Sequence, residues 1–257
     1  MKLALNGCLG KMGRRIAEIA LAQGHSLVAL IDAQGGGKSY QELTGIKAAA
    51  PVTAQYEGGA DALIDFSLPE GFSRSLAACV KHKTPFVSGT TGLNAAHFAE
   101  RDAACRVIPL LSAYNMSLGV NLLLSLVKQA AQKLGPDYDI EIVEMHHRLK
   151  VDAPSGTAVA LFNAVCEATG RDPKEVARHG REGMVGKRTQ PEIGLHAVRG
   201  GDVVGDHTVM FAGEGERIEL VHKASNRDTF ARGAVRAAQW LVDKPAGLYT
   251  MAQVLGL

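Results

Sequence analysis

The chain has 257 residues, 46% of them apolar, and its 28 basic and 26 acidic side chains leave a formal net charge of only +2. A chain of this length buries roughly three quarters of its unfolded surface, which is enough for one or two compact domains without an external staple. The balanced and scattered charges exclude the basic surface that nucleic-acid binding needs, so we expect a small-molecule partner and no nucleic acid.

Cysteine spacing and the lengths of the apolar runs bear on the location of the protein. The four cysteines are widely spaced and form no CxxC pair, which is typical of thiols in the core of a protein from a reducing compartment: Cys8, Cys79, Cys105 and Cys166. The first apolar run is too short for a secretory signal, and no stretch approaches the eighteen or more residues of a membrane span. We therefore expect a cytoplasmic protein with no membrane association.

The first ~110 residues alternate strand and helix patterns, the order typical of parallel sheets. The first unit is a strand at 2–6, a glycine-punctuated loop at 7–13, a helix that ends at Gly24 and an apolar strand at 26–32. Further strands are predicted at 62–66, 85–88 and 106–111, with helices at 71–81 and 94–104. We predict an α/β, Rossmann-like domain with a doubly wound parallel sheet.

The pattern changes after Asn115. We predict helices at 118–134 and 157–169, and an alternating strand at 139–146 that carries Glu144 and His146 on one face. Three later strands, at 193–198, 203–212 and 217–223, are separated by glycine-rich turns, and we expect neighbouring antiparallel pairs. The sequence therefore predicts a second, α+β domain with an open mixed sheet at 116–225, while 1–115 and 226–257, including a last helix at 229–242, form the dinucleotide-binding domain.

Two loops have the position and composition of nucleotide-binding loops. The first follows the pattern GxxGxxG at 7–13 between a strand and a helix, and Asp32 ends the next strand, where an acid can hold an adenosine ribose. The second, Ser-Gly-Thr-Thr-Gly at 88–92, follows another strand. The alternatives are a plain tight turn with a solvent-facing aspartate and an ordinary strand-to-helix loop.

A third motif, at 144–158, combines groups that titrate with groups that bind anions. His146 and His147 can titrate near neutral pH, Lys150 supplies a cation or a proton, and the backbone after Pro154 opens a helix whose N–H groups can hold an anion. The alternatives are a metal pair, or one surface and one structural histidine. Against a metal, neighbouring strand residues point to opposite faces and no HExxH spacing is present. We expect no metal and a site for an acidic small molecule.

The segment 144–158, Glu-Met-His-His-Arg-Leu-Lys-Val-Asp-Ala-Pro-Ser-Gly-Thr-Ala, closely resembles the signature of the dihydrodipicolinate reductase (4-hydroxy-tetrahydrodipicolinate reductase) family. The loop at 7–13 and the segments at 88–92, 114–121 and 222–230 also resemble this family in order and spacing, so the resemblance covers nearly the whole chain.

The resemblance implies NAD(P)H-dependent reduction of 4-hydroxy-tetrahydrodipicolinate to tetrahydrodipicolinate in lysine and diaminopimelate biosynthesis. It implies that His146 is the acid/base residue and Lys150 the proton donor. The dicarboxylate substrate would be bound by His147, Ser155, Gly156 and Thr157. The nucleotide would be bound by Gly7, Cys8, Leu9, Gly10, Lys11, Met12, Asp32, Gly89, Thr90, Thr91, Ala113, Tyr114, Asn115 and Met116. It further implies a homotetramer formed through the 116–225 domain.

This chain departs from the family pattern beside Asp32. Many members have an arginine next, which can face a 2′-phosphate, whereas this chain has Ala33. Lys11 and Lys38 are the nearby cations in sequence that could reach such a phosphate. Because the carboxylate repels a phosphate and a flexible ammonium is a weaker clamp than a guanidinium, we expect NADH to be preferred and NADPH to remain usable.

Two other functions fit a nucleotide-binding chain. An aspartate-semialdehyde dehydrogenase would need a catalytic cysteine, and none of the four lies beside a histidine-bearing motif. A nucleotide-sensing regulator would bind the cofactor without turnover, which leaves Lys150 and the paired histidines unexplained.

Overall fold

The computed structural model describes all 257 residues. It consists of two compact units, one formed by Met1–Leu118 with Arg227–Leu257 and the other by Gly119–Asn226. No helix has both the length and the apolar character needed to cross a membrane.

The first unit begins with alternating strands and helices, as the sequence pattern predicts. The elements in chain order are β1 (Lys2–Asn6), α1 (Lys11–Ala22), β2 (Ser26–Ile31), α2 (Tyr40–Thr44), β3 (Val52–Thr53), β4 (Ala62–Asp65), α3 (Pro69–His82), β5 (Phe86–Ser88), α4 (Ala95–Ala104) and β6 (Pro109–Ser112). The sixth strand begins three residues later than predicted, because 105–108 forms the turn that leaves α4.

The second unit begins with a long helix. Its elements are α5 (Leu118–Leu134), β7 (Asp139–His146), α6 (Gly156–Thr169), α7 (Pro173–Val176), β8 (Ala177–His179), β9 (Ile193–Arg199), β10 (Gly205–Ala212) and β11 (Arg217–Ala224). The chain then returns to the first unit with α8 (Asp228–Leu241), β12 (Gly247–Tyr249) and α9 (Met251–Leu255).

The sheet of the first unit has seven parallel strands in the order β12-β6-β5-β4-β1-β2-β3. Alternate residues of β1 enter different cores: Leu3 and Leu5 pack with the cluster that contains α1 and α8 residues, and Ala4 packs with α3 residues. Helices therefore cover both faces, which confirms the doubly wound sheet.

The sheet of the second unit is mixed, with the order β11-β10-β7-β9-β8. The expectation that the glycine turn at 200–202 joins neighbouring antiparallel strands is wrong. Strand β7 lies between β9 and β10, parallel to β9 and antiparallel to β10. Only β10 and β11 form the expected hairpin. A turn signal in the sequence reports a change of direction, and it does not report whether an earlier strand is inserted between the two.

Strand β7 alternates strictly between buried and half-buried residues, as its sequence predicts. Ile140 and Ile142 face a core that includes Val127 of α5 and Leu161 of α6. Glu144 and His146 continue the same buried row toward the carboxyl end of the strand. A helix-covered apolar face therefore ends in ionisable residues, and that end contains the polar site of the second unit.

Candidate active site and nucleotide-binding edge

The glycine loop between β1 and α1 depends on three glycines for different reasons. Gly7 has φ +75°, and a Cβ atom there would lie 2.3 Å from the Phe66 carbonyl oxygen. A Cβ atom at Gly13 would lie 2.1 Å from the Gly7 carbonyl oxygen. Gly10 caps α1 without a side-chain acceptor, so the amides of the first helical turn keep their capacity to bind an anion.

Asp32 holds the end of β2 to this loop. Its Oδ2 accepts a hydrogen bond from the Leu9 amide at 3.1 Å, and its Oδ1 accepts one from the Gln34 amide at 3.0 Å. Each carboxylate oxygen has a second lone pair available for a hydroxyl donor. The aspartate is therefore oriented from the backbone while keeping acceptor capacity for a ribose.

A cavity of about 480 Å³ brings together most of the predicted nucleotide residues of the first unit. It is lined by Gly10, Lys11, Met12, Phe66, Ser67, Gly89, Thr90, Thr91, Tyr114, Asn115, Met116, Arg227 and Phe230. Gly7, Cys8, Leu9, Asp32 and Ala113 do not line it. Cys8 is buried behind the loop, where its carbonyl accepts the Tyr40 hydroxyl at 2.9 Å. The open helix terminus, the oriented carboxylate and the cavity together fit a dinucleotide.

Asp65, which the sequence analysis did not include, lies at the carboxyl end of β4 and is fully buried. Its Oδ1 accepts hydrogen bonds from Asn6 Nδ2 at 2.8 Å and Ser67 Oγ at 2.6 Å. Its Oδ2 accepts from Ser88 Oγ at 2.8 Å and Thr90 Oγ1 at 2.7 Å. Burial raises the pKa of Asp65, and these four donors oppose that rise. One carboxylate thus joins the ends of β1, β4 and β5.

Three of the four thiols are buried and have raised pKa values. Burial, reinforced by the nearby Asp32 charge, raises the pKa of Cys8 to about 12, and burial raises that of Cys166 to about 11. Cys79 is also buried, with a raised pKa. Cys105 is half-buried, so the prediction that all four are core thiols is wrong for this one. A thiolate nucleophile, as an aspartate-semialdehyde dehydrogenase requires, finds no support here.

In the second unit, Glu144 organises the polar end of β7. Its Oε2 lies 2.6 Å from His146 Nδ1, and Arg199 donates to both of its oxygens at 2.8 Å. The Ser155 amide donates to Oε1 at 3.0 Å. Burial acts to raise the pKa of Glu144, but the hydrogen bonds from Arg199, His146 and Ser155 lower it, and the net direction is down. Glu144 is therefore an ionised group that fixes the His146 ring through Nδ1.

Ser155 connects Glu144 to helix α6 and to His207. The Ser155 hydroxyl caps α6 by accepting the Ala158 amide at 3.2 Å, and it lies 3.0 Å from His207 Nε2. The His207 and His146 rings meet edge to face, with centroids 5.2 Å apart. Burial and the neighbouring His146 lower the pKa of His207 to about 4, so this imidazole is neutral at physiological pH.

Lys150 and His147 lie in the loop that follows β7. The Lys150 ammonium contacts both Asp152 carboxylate oxygens at 2.8 Å, and Arg199 donates to the Asp152 backbone carbonyl at 2.7 Å. His147 Nδ1 is buried without a hydrogen-bond partner. The structure thus links the predicted residues His146, Lys150 and Ser155 through Glu144, Arg199 and Asp152.

Gly156 and Thr157 form the first turn of α6, directly after the Ser155 cap. Gly156 is exposed, and a Cβ atom there would meet nothing within 4 Å. The amino end of this 14-residue helix is therefore open beside the Glu144 network, which is a position where backbone N–H groups stabilise an anion.

Sequence reasoning missed the supporting residues Glu144, Arg199 and His207 as members of the site. Two of them could be found only through strand register, because His207 is paired with Glu144 across β10 and β7, and Arg199 with His146 across β9 and β7. Glu144 had a local signal, since it lies two residues before His146 and therefore on the same face of the strand.

Comparison with known proteins identifies the family. Residues 1–116 match the family model described as dihydrodipicolinate reductase, N-terminus, and residues 119–255 match the model described as dihydrodipicolinate reductase, C-terminus. The chain belongs to the dihydrodipicolinate reductase family.

Several members of the dihydrodipicolinate reductase family are similar to this chain over their full length. The 4-hydroxy-tetrahydrodipicolinate reductase of Alkalilimnicola ehrlichii is 50% identical, covering 100% of this chain and 99% of the relative. That of Thiobacillus denitrificans is 48% identical with the same coverage. The solved structure of a dipicolinate-bound dihydrodipicolinate reductase from Paenisporosarcina sp. TG-14 aligns with this chain over 98% of each protein, with a TM-score of 0.77 and 24% identity. This likeness shows that the two proteins share a fold. A dinucleotide-binding fold in a reductase family implies the use of NAD(P)H.

Proposed function

We propose that this chain catalyses the NAD(P)H-dependent reduction of 4-hydroxy-tetrahydrodipicolinate to tetrahydrodipicolinate, a step in lysine and diaminopimelate biosynthesis. The observation that carries the proposal is the network in which Glu144 fixes His146 beside the open amino end of α6. Family membership and relatives that are 48–50% identical support the substrate assignment.

The proposed substrate is a dicarboxylate, and we propose that the α6 terminus and nearby side chains bind it. Gly156 and Thr157 would supply backbone N–H groups, with Ser155 holding the turn in place and His147 contributing its unpartnered Nδ1. Charge-assisted hydrogen bonds of this kind are among the strong ones in proteins. The dipicolinate ligand of the Paenisporosarcina protein is a dicarboxylate, which supports this substrate class.

We propose that His146 and Lys150 carry out the proton transfer of the reaction as general acid–base groups. When bound, a nicotinamide would supply the hydride. The 4-hydroxyl leaves as water, so the overall reaction consumes one proton, which the protein would supply. Glu144 contacts His146 Nδ1, so Nε2 is the nitrogen left for the substrate. Lys150 is held by Asp152, and a substrate carboxylate could replace that aspartate as the partner of the ammonium. General acid–base groups of this type contribute about 10² to 10⁴ in rate.

The first unit is proposed as the dinucleotide-binding domain and the second as the substrate-binding domain. The loop with Gly10, Lys11 and Met12, together with Thr90 and Thr91, lines the cavity of the first unit, which supports its role as the nucleotide site. Within this proposal NADH is the preferred cofactor, because Asp32 is followed by Ala33. A cytoplasmic location stays a prediction from the sequence.

We also propose a homotetramer that assembles through the sheet of the second unit. Strand register places five apolar side chains on the sheet face opposite Ile142 and His207: Val143, Met145, Val198, Met210 and Val221. Val198 and Val221 are 39% and 46% exposed. The same face also carries charged residues, among them Glu141, Asp206 and Glu219, and a mixed face with exposed apolar side chains is a candidate association surface. Light scattering that gives a monomer mass at assay concentration would overturn the tetramer.

The function is tested by following the oxidation of NADH and of NADPH separately, with freshly prepared 4-hydroxy-tetrahydrodipicolinate. Substrate-dependent oxidation of either nucleotide supports the proposal. Tight nucleotide binding without turnover would instead indicate a nucleotide-sensing protein.

A further inference from the structure

Asp65 is a buried carboxylate whose hydrogen-bond partners are all neutral. Asn6, Ser67, Ser88 and Thr90 provide its four hydrogen bonds, two to each oxygen. A buried charge is ordinarily paired with a cation, because desolvation is otherwise uncompensated. Here burial raises the pKa of Asp65, and the only compensation for a negative charge comes from the dipoles of four neutral donors.

The directions of these hydrogen bonds favour the ionised form. Ser88 Oγ accepts the Thr90 amide at 3.2 Å, Thr90 Oγ1 accepts the Ser67 amide at 3.0 Å, and Ser67 Oγ accepts Asn6 Nδ2 at 3.0 Å. Each hydroxyl oxygen is therefore already an acceptor. The Ser88 and Thr90 hydroxyls donate to Asp65, and the Ser67 hydroxyl has two acceptors, Asp65 and the Leu68 carbonyl at 3.1 Å. At Oδ2, where the Ser88 and Thr90 hydroxyls both donate, a proton on Asp65 would meet two donors, so the ionised form fits that oxygen better.

The carboxylate lies directly behind the wall of the nucleotide cavity. Ser67 and Thr90 line that cavity and also contact Asp65, so one side chain separates the charge from the ligand space. Asp65 ends β4, on the opposite side of β1 from β2 and Asp32. In a doubly wound sheet with the adenosine ribose at the end of β2, the other mononucleotide half, from β4 onward, receives the nicotinamide.

We propose that the Asp65 charge biases this site toward the oxidised nucleotide and so favours hydride donation. The inference rests on the proposed function. Hydride donation leaves one positive charge on a nicotinamide ring that was neutral before, and a fixed negative charge behind the cavity wall stabilises the product form more than the reactant form. Asp65 touches no substrate in this account; it acts through its charge and through the hydroxyls that it holds.

The test compares the dissociation constants of the reduced and oxidised nucleotide, measured by calorimetry at one pH and ionic strength. The readout is the ratio of the constant for the oxidised form to that for the reduced form. Asp65→Asn should raise this ratio by about 3- to 30-fold, the size of one unit-charge interaction at a partly buried site. A tenfold change corresponds to about 30 mV in the potential of the bound two-electron couple.

Two control variants separate charge from structure. Asp61→Asn removes a carboxylate from the opposite, exposed end of β4 and should leave the ratio unchanged. Ser88→Ala removes one of four donors while the aspartate remains, so it should change the ratio less than Asp65→Asn does.

The outcomes decide between the proposals. If Asp65→Asn binds both forms with the wild-type ratio, the inference is wrong and Asp65 only holds the loops together. If that variant does not fold, Asp65→Ser removes the same charge with a smaller polar group and must give the same increase. A wild-type protein that binds neither form overturns the proposed function itself.

Discussion

Glu144 and His146 lie two residues apart on the same face of β7, and their side chains meet at 2.6 Å between Oε2 and Nδ1. Glu144 is 1% exposed, and Arg199 neutralises its charge from the other side. The pair resembles other sites in which a buried carboxylate sets the tautomer and the orientation of a histidine. In this chain the bond commits Nδ1 to Glu144, and we propose that Nε2 faces the substrate.

Glu144→Gln should lower kcat by about 10- to 100-fold, because an amide cannot both accept from Arg199 and hold the His146 tautomer as a carboxylate does. Nucleotide affinity should stay within about twofold of wild type. Steady-state kinetics and a nucleotide titration check both expectations. Glu219→Gln, on the exposed strand β11, is the control. Equal kcat values for the two variants would show that Glu144 does not support catalysis through His146.

Gly205→Ala should inactivate the site by steric contact. A Cβ atom at Gly205 would lie 2.9 Å from His146 Nε2, the nitrogen assigned to the substrate. We expect kcat to fall by about 10-fold or more, since even small misplacement of a reacting group is costly. Gly200→Ala is the matched control, because a Cβ atom at Gly200 meets nothing within 4 Å and its φ is not in the left-handed region. Similar kinetics for both alanine variants would show that contact between residue 205 and His146 does not affect catalysis.

The buried His207 should make the stability depend on pH in a defined window. Its pKa is lowered to about 4 in the folded protein, from an ordinary value of 6.5. Between these values the unfolded chain binds a proton that the folded chain does not, so stability falls as the pH drops from 6.5 to 4 and levels off below. The full loss is on the order of 3 kcal/mol, since each pKa unit corresponds to ~1.4 kcal/mol.

His207→Gln should remove the loss of folding stability that protonation of His207 causes below pH 6.5. Urea unfolding at pH 7 and pH 4.5, at one protein concentration, should show a pH-dependent destabilisation that is smaller by roughly 2 kcal/mol in the variant. His179→Gln changes an exposed histidine on β8 and should behave like wild type. A variant at position 207 that keeps the full wild-type pH dependence would contradict the assignment of a neutral, buried His207.

Much of the architecture could be predicted from local patterns. The bounds of β1, α5 and β7 coincide with the predicted ranges, because each is a clear apolar run or alternation between glycine or polar boundaries. Short elements such as β3, β8 and β12 were missed, since two or three residues carry too little periodicity. Their strand conformation depends on pairing with neighbours that are distant in the sequence.

Only the part of the candidate site that lies in one contiguous sequence motif could be predicted. Lys150 and Ser155 stand in one segment with His146, and the sequence names them together. His207 and Arg199 join them through strands that lie on either side of β7, and the inserted position of β7 was the feature that the sequence did not reveal. Asp65 has no motif of its own, and its importance appears only when the ends of three strands meet.

We predict a preference for NADH from Asp32 and Ala33. A 2′-phosphate beside Asp32 meets a like charge, and Ala33 offers no guanidinium to compensate. We expect kcat/KM to favour NADH by about 3- to 100-fold, the size of one partly compensated like-charge contact of roughly 1 to 3 kcal/mol. Ala33→Arg should narrow the gap by improving NADPH, and Lys11→Ala should widen it. A wild-type preference for NADPH at fixed ionic strength would show that nearby cations outweigh Asp32.

We propose that His146 and Lys150 carry the proton chemistry of a 4-hydroxy-tetrahydrodipicolinate reductase. The most direct measurement compares kcat for substrate-dependent NADH oxidation with the NADH dissociation constant in wild type, His146→Gln and Lys150→Ala. Each variant should lower kcat by about 10² to 10⁴, while its NADH dissociation constant should stay near the wild-type value. Unchanged turnover in these variants, with weakened nucleotide binding, would contradict the proposal.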